Sequence, residues 1–237
     1  MLLLAIDTST TAVTVALHDG SRVVAERSTL DARRHTEHVA PGVEGVLQDA
    51  GVAPGDVTDV AVGVGPGPFT GLRVGMVTAT VFAHARGIPV HGVCSLDALA
   101  HEAAAAGAVT GEFVVATDAR RKEVYWARYA AVPGADGAPP RATRLTHPAV
   151  DLPATVGEAL GGAGVVGRGP LLYPDHLAPA AGPLDVSAGA LAAVALSELA
   201  AGRDLPVVPM YLRRPDAAPS QPRKPALPAP RPGRAGA

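Results

Sequence analysis

The stretch GPGPFTGLRVG, Gly65 to Gly75, limits the fold more than any other part of this chain. It closes an apolar run at residues 60–64 and opens a helix predicted to last to about Arg86. Within that helix Gly71, Gly75, Ala79 and Ala83 recur every fourth position, so they stack along one edge where another backbone can come close. A glycine inside a helix costs roughly 1 kcal/mol relative to alanine, and two in succession imply close packing that returns the loss. The edge is therefore expected to be covered, as a contact surface.

The periodicities on either side place this element. Residues 2–6 form an apolar run ending at Asp7, residues 8–11 make a hydroxyl-rich turn, and Val13, Val15 and Leu17 alternate with Thr14, Ala16 and His18, which predicts a hairpin. Residues 22–30 read as a third strand after the Asp19-Gly20 turn. From His35 the period changes: Val39, Val43, Val46 and Leu47 share one face of a helix ending near Gly51, with Pro41 early enough to be tolerated. A strand at 60–64, the small-edged helix, a strand at 90–93 and a helix capped by Ser95 that runs to Gly107 complete the first half.

That order matches the ribonuclease-H-like unit from which actin-like ATPases are doubled. The second half begins again. Residues 112–117 form a largely apolar run before Asp118, and Asp7 and Asp118 each precede the next strand by six residues. Strands at 124–129, 141–145 and 164–166, a helix at 151–160 and a helix from Ser187 to about Ala201 make a thinner unit. The expectation is an α/β, duplicated actin-like fold: a first subdomain over 1–107, a reduced one over 108–213, and a disordered Pro/Ala/Arg tail over 214–237.

Charge and cysteine content narrow the setting. From Arg213 onward six basic residues face only Asp216, so the body holds 14 basic and 21 acidic residues and is a poor candidate for a broad nucleic-acid-binding face. One cysteine, Cys94, excludes an internal disulfide. Neither a signal peptide nor a stretch of about 18 uninterrupted apolar residues is present, so a cytoplasmic, soluble protein is expected.

The candidate chemistry is sparse. GPGPFTGLR has neither the Gly-Lys-Ser/Thr ending of a P-loop nor GxGxxG spacing, and Pro66 and Pro68 remove two backbone donors, so packing competes with phosphate binding there. Asp7, Thr8, Ser9 and Thr10 form the turn that wraps nucleotide phosphates in doubled actin-like folds, or else an Asx/Ser-Thr turn that satisfies its own backbone. The second turn, starting at Asp118, reads DARRKE, with bulky side chains where a phosphate-binding turn has glycine. No acidic residue lies between Gly63 and Gly75 to position an attacking water. His35, Glu37 and His38 open the first helix with two imidazoles at i, i+3, short of the ligands a metal needs. Active ATP hydrolysis is therefore disfavoured, leaving weak or vestigial ATP/ADP binding; a free-standing ATPase or phosphotransferase is the competing class.

Taken in order, AIDTSTTAVTVAL, RHTEHVAPGVEGVL, GVGPGPFTGLRVG, PVHGVCSLDALA, ATDARRKEVYWARY and VVPMYLR closely resemble the TsaB (YeaZ) family, over roughly residues 1–213. The family's usual form has serine at the position of Pro68. The resemblance implies the non-catalytic partner in bacterial tRNA threonylcarbamoyladenosine synthesis, without catalytic residues, cofactor or metal of its own. The His-x-x-x-His pair of the catalytic paralogue, TsaD, falls here on Ser95 and Leu99, so a metalloprotease reading also fails. It further implies that helices 35–51 and 70–86 pair with their TsaD equivalents in a four-helix bundle, or with a second copy as a homodimer. The interface expected on the first helix is His35, Glu37, Val39, Val43, Val46 and Leu47, and on the second Gly71, Val74, Gly75, Ala79 and Ala83. A TsaE-type ATPase docks on the pair, and tRNA is reached through the complex.

Overall fold

Runs of apolar residues without strict alternation at the start of the chain make strands that are covered on both faces. In the computed structural model, which describes residues 1–31, 34–134 and 138–213, β1 (Leu3–Asp7) and β2 (Ala12–His18) are buried throughout. They pair antiparallel with Asp7 opposite Thr14, and β3 (Val23–Leu30), the polar edge strand, continues the antiparallel pairing on β2. The sheet then turns parallel, with β4 (Asp59–Gly63) on β1 and β5 (Val90–Val93) on β4, giving the order β3-β2-β1-β4-β5. One face is covered by α1 (His35–Ala50) and α2 (Phe69–Arg86), whose Val39, Val43, Val46, Leu72 and Met76 pack with Leu4, Ile6, Val13 and Val15. Both helices stop at a left-handed glycine, Gly51 and Gly87.

The second sheet repeats the first. β6 (Gly111–Asp118) and β7 (Val124–Val132) form an antiparallel hairpin, β8 (Arg141–Arg144) and β9 (Ala149–Asp151) pair with successive stretches of β7, and β10 (Val165–Val166) is parallel to β6. Its order β8-β7-β6-β10, with β9 also on β7, therefore reproduces β3-β2-β1-β4, and among the described residues it has no counterpart of β5. This is the duplicated ribonuclease-H-like, actin-like architecture with a reduced second sheet.

Between the sheets lie α3 (Ser95–Ala105) and, from the far end of the chain, α6 (Ala188–Ala200). Leu96, Leu99 and Ala103 of α3 and Leu191, Ala192 and Ala195 of α6 share one core with Leu3, Ala5, Phe113, Val115 and Tyr129 from the two sheets. The helices are exchanged relative to their sequence order: α3 packs on β6, β7 and β8, whereas α6 packs on β1 and β2. The short helices α4 (Pro153–Ala159) and α5 (Gly169–Leu172) follow β9 and β10, and Val156 of α4 seals the outer face of the second sheet with Val114, Ala116 and Leu177. After α6 the chain returns to the first sheet, where the Leu205 carbonyl accepts from Gly92 N at 2.8 Å and Met210 N donates to the Val64 carbonyl at 2.8 Å.

Two capping expectations separate here. Ser187 caps α6 as predicted, its hydroxyl accepting from Ala190 N at 3.0 Å. Ser95 does not cap α3; Cys94 stands at the cap and Ser95 is the first helical residue, its hydroxyl engaged elsewhere. The tail predicted to be disordered, residues 214–237, lies outside the described residues. Among the described residues no helix is long and apolar enough to cross a membrane.

Candidate functional site

The turns that follow β1 and β6 face each other at the carboxyl ends of the two sheets, where open α/β sheets hold their ligands. Between them is a cleft of about 250 Å³. The hydroxyl turn Thr8, Ser9 and Thr10 forms one wall, the starts of α1 and α2 contribute His35, Thr36, Thr70 and Gly71, and Asp118, Arg120 and Arg168 stand opposite. His35 Nε2 lies 3.1 Å from the Thr10 carbonyl, tying α1 to the turn. Arg168 is held by a bidentate pair with Asp185, its Nη2 2.6 Å from Oδ2, and Asp118 accepts from Arg120 N at 2.7 Å.

Asp7, expected with Thr8, Ser9 and Thr10, does not line this cleft. Its carboxylate is fully buried behind the turn and committed: Oδ1 accepts from Ser9 N and Ser9 Oγ, both at 2.8 Å, and Oδ2 accepts from Ser95 Oγ at 2.6 Å. Burial pushes its pKa up against these three hydrogen bonds. A Cβ at Gly63 would run into the same carboxylate, so the strand beside it has to be glycine at that point. Asp7 thus ties β1, β4 and α3 together rather than facing the cleft.

The second turn adopts the backbone of a glycine turn without the glycine. Arg120, Arg121 and Lys122 have φ of 60°, 52° and 63°, three consecutive left-handed residues with full side chains. Each costs about 1–2 kcal/mol relative to the right-handed form.

The small edge of α2 is closely packed, as its spacing requires, but the partner is this chain's own first turn. Thr8 Oγ1 donates to the Gly71 carbonyl at 2.7 Å and accepts from Gly75 N at 3.0 Å, so one hydroxyl joins two groups that an uninterrupted helix pairs with each other. A Cβ at Gly71 would come within 2.8 Å of the Thr8 carbonyl, and one at Gly75 within 2.5 Å of Thr8 Oγ1. Ala79 and Ala83, with Val39, Val43, Val46 and Leu47 of α1, are buried against the first sheet. These positions of the predicted interface therefore face inward, because two helices laid on a sheet must spend their most regular apolar stripe on it. Gly75→Ala is accordingly expected to lower folding stability by about 1 kcal/mol, steric cost exceeding the gain in helix propensity; urea denaturation measures it, and a stabilised variant would contradict this packing.

Of the predicted interface, Glu37 is exposed, and His35 and Val74 are half-buried. Sequence reasoning missed the outward stripe of α2, where Phe69, Val77 and Val81 are 36%, 59% and 61% exposed. The four-residue spacing of Phe69, Arg73, Val77 and Val81 is the signal that could have found it.

Among the described residues no three His, Cys, Asp or Glu side chains come together as a metal site. Leu99 is fully buried in the core between the sheets, and burial raises the Cys94 thiol to about 12, far from a reactive thiolate.

This geometry can be set beside known proteins. Residues 23–155 match the family model described as "TsaD: tRNA N6-adenosine threonylcarbamoyltransferase". YeaZ from Pseudomonas aeruginosa superimposes with a TM-score of 0.73 at 32% identity, over 89% of this chain and 99% of that one. The chain belongs to the TsaB (YeaZ) family. An uncharacterized protein of Mycobacterium tuberculosis is 46% identical over 226 residues, 91% of this chain and 93% of the relative. The "tRNA threonylcarbamoyladenosine biosynthesis protein TsaB" of Escherichia coli is 40% identical over 129 residues, 54% of this chain and 55% of that protein.

Proposed function

We propose that this chain is the non-catalytic scaffold of the complex that transfers a threonylcarbamoyl group to the anticodon-adjacent adenosine of tRNAs reading codons that start with A. Membership of the TsaB family supports a role in that pathway, and relatives in Escherichia coli and Bacillus subtilis carry its name. The observation that carries the non-catalytic reading is the fate of Ser95 and Leu99, the positions matched to the metal-binding histidines of the catalytic paralogue. Ser95 is spent on Asp7 and Leu99 on the core, so neither side chain is directed at a substrate.

In this reading α1 and α2 pair with the equivalent helices of a TsaD-type subunit through their outward faces, and in its absence with a second copy. A TsaE-type ATPase joins the pair, tRNA is met through the assembly, and the protein works in the cytoplasm as two subdomains, 1–107 and 108–213, built on a shared core. The inter-sheet cleft, with Thr8, Ser9, Thr10 and Asp118 on its walls, keeps room for weak ATP or ADP binding. Among the described residues that line it the one carboxylate is Asp118, and its engagement by the Arg120 backbone and guanidinium supports the non-hydrolytic reading.

The test is reconstitution of tRNA modification from purified TsaD-type and TsaE-type subunits with and without this chain, beside magnesium-ATP turnover by the chain alone. Transfer is expected to depend on the chain, and lone turnover to be negligible. Full transfer without it, or robust turnover by it alone, would favour the free-standing ATPase.

A further inference from the structure

After α6, residues 205–213 run back along the first sheet and are fastened to it at intervals. The Leu205 carbonyl accepts from Gly92 N, a Cβ at Gly92 would run into the Pro206 carbonyl, and Met210 N reaches the Val64 carbonyl just past β4. Three short-range bonds fold the segment on itself and leave it little slack: Val208 N to the Pro206 carbonyl, Tyr211 N to that of Pro209 and Leu212 N to that of Met210, at 2.9, 3.0 and 3.2 Å.

The end of this segment is anchored in two places. Tyr211 packs on Phe69 at the start of α2, with ring centroids 5.0 Å apart, and its hydroxyl accepts from Arg73 Nε at 2.9 Å. The Arg73 guanidinium also lies 3.9 Å from the Phe69 centroid, so the three side chains interlock on the outward stripe of α2. Two residues later Arg213 crosses to the second sheet, where its Nη1 donates to the Ala119 carbonyl at 3.1 Å and its guanidinium pairs with Glu123. Those two side chains are only 22% and 31% exposed, so salt screens the pair less than a surface one. Leu212 alone separates the two anchors.

Ala119 and Glu123 are the two ends of the turn that joins β6 to β7, and between them stand the three left-handed residues Arg120, Arg121 and Lys122. Strain of that kind persists only where the surroundings fix it. The turn's own backbone supplies two bonds, Ala119 N to the Glu123 carbonyl and Glu123 N to that of Arg120, both at 3.0 Å. Arg213 supplies the outer grip by holding both ends. The same turn carries Arg120, which with Asp118 walls the inter-sheet cleft.

We propose that residues 205–213 are a clasp through which the outward face of α2 controls the wall of the inter-sheet cleft. In the clasped state Tyr211 is locked against Arg73 and Phe69, and Arg213 keeps the turn left-handed with Asp118 and Arg120 on the cleft. In the released state Arg213 leaves Ala119 and Glu123, and the turn relaxes. A partner seated on Phe69 and Arg73 immobilises Tyr211 and so favours the clasped state. That this partner is a TsaD-type subunit rests on the function proposed above; the link from Arg73 to the turn does not.

The test is amide hydrogen exchange in the full-length chain, read by mass spectrometry on peptides covering residues 119–123, where the N–H groups of Ala119, Arg120 and Glu123 are hydrogen-bonded. Arg213→Ala is expected to speed their exchange at least about tenfold while β1 and α1 stay unchanged, and Arg213→Lys, which keeps a charge for Glu123, to restore part of the protection. Tyr211→Phe removes only the hydroxyl that meets Arg73, and Arg73→Gln only the cation; each should still speed exchange in the turn by about threefold or more. Adding the TsaD-type subunit should slow the turn in the parent and leave it unchanged in Arg213→Ala.

Thermal unfolding checks that each variant is folded, and Tyr211→Phe decides the matter if Arg213→Ala is not. Turn exchange that is insensitive to Arg213, or that responds to Arg213 but to neither Tyr211 nor Arg73, overturns the clasp. So does a bound subunit that leaves the turn unchanged in the parent, or one that slows it equally in Arg213→Ala. Failure of the subunit to bind at all would count against the scaffold reading, while the variants of the free chain still decide this one.

Discussion

Ser95→Ala is expected to destabilise the chain by about 1 kcal/mol while Asp7 is protonated and by about 2–3 kcal/mol once it is ionised, the difference between hydrogen bonds to a neutral and to a charged acceptor. The effect comes from Asp7, whose carboxylate is fully buried and relies on Ser95 Oγ, Ser9 N and Ser9 Oγ for its hydrogen bonds. Burial holds its folded pKa above the ordinary value of 3.8, so between those two pH values the folded chain binds more protons than the unfolded one. The stability contributed by Asp7 is therefore fully present below 3.8 and is lost as pH rises through the folded pKa. Removing the Ser95 hydroxyl takes away a group that favours the ionised form, raises that pKa further and deepens the loss on the alkaline side. Burial also raises Asp97, which adds to the same trend in the parent, but the difference between parent and variant cancels that contribution. Urea denaturation at pH values from 4 to 8 measures the difference; one that stays constant over the range would mean that Asp7 is not the group Ser95 serves.

That network also marks where reading the sequence stopped. The order of the longer strands and helices was legible because each carries a strong period, whereas the short β9 and α5 were missed, and the repeat of Asp7 and Asp118 at the ends of β1 and β6 announced the duplication that the sheet orders display. The partners of polar residues were not legible. Ser95 looks like a helix cap from its neighbours alone, and only the approach of β1 and β4 to the start of α3 turns its hydroxyl onto Asp7. The exchange of α3 and α6 between the sheets was hidden for the same reason, since both helices are apolar enough to pack on either one. The Gly71, Gly75, Ala79, Ala83 edge was read correctly as a place of close approach, but spacing states only that something comes near. Thr8, 67 residues before Gly75 in the chain, is what comes near.

With that edge covered from within, the pairing proposed above would use what α2 leaves outside, and charge placed there should abolish it. Val77→Glu with Val81→Glu is expected to weaken pairing with the TsaD-type subunit by at least about 3 kcal/mol, more than a hundredfold in Kd, a magnitude characteristic of residues at the centre of an interface. Both side chains are about 60% exposed on the free chain and add nothing to the core beneath, so the melting temperature should hardly move. Gly75→Ala should do the opposite, lowering stability while leaving the affinity of the folded fraction unchanged, because its Cβ meets Thr8 and not a partner. The contrast separates the two faces of one helix in a way that a single variant cannot. Calorimetric titration of each variant with the catalytic subunit reads it out. Parental affinity in the double glutamate variant would move the interface off α2, whereas loss of pairing in folded Gly75→Ala would mean that the hydroxyl turn beneath the helix opens to the partner on binding.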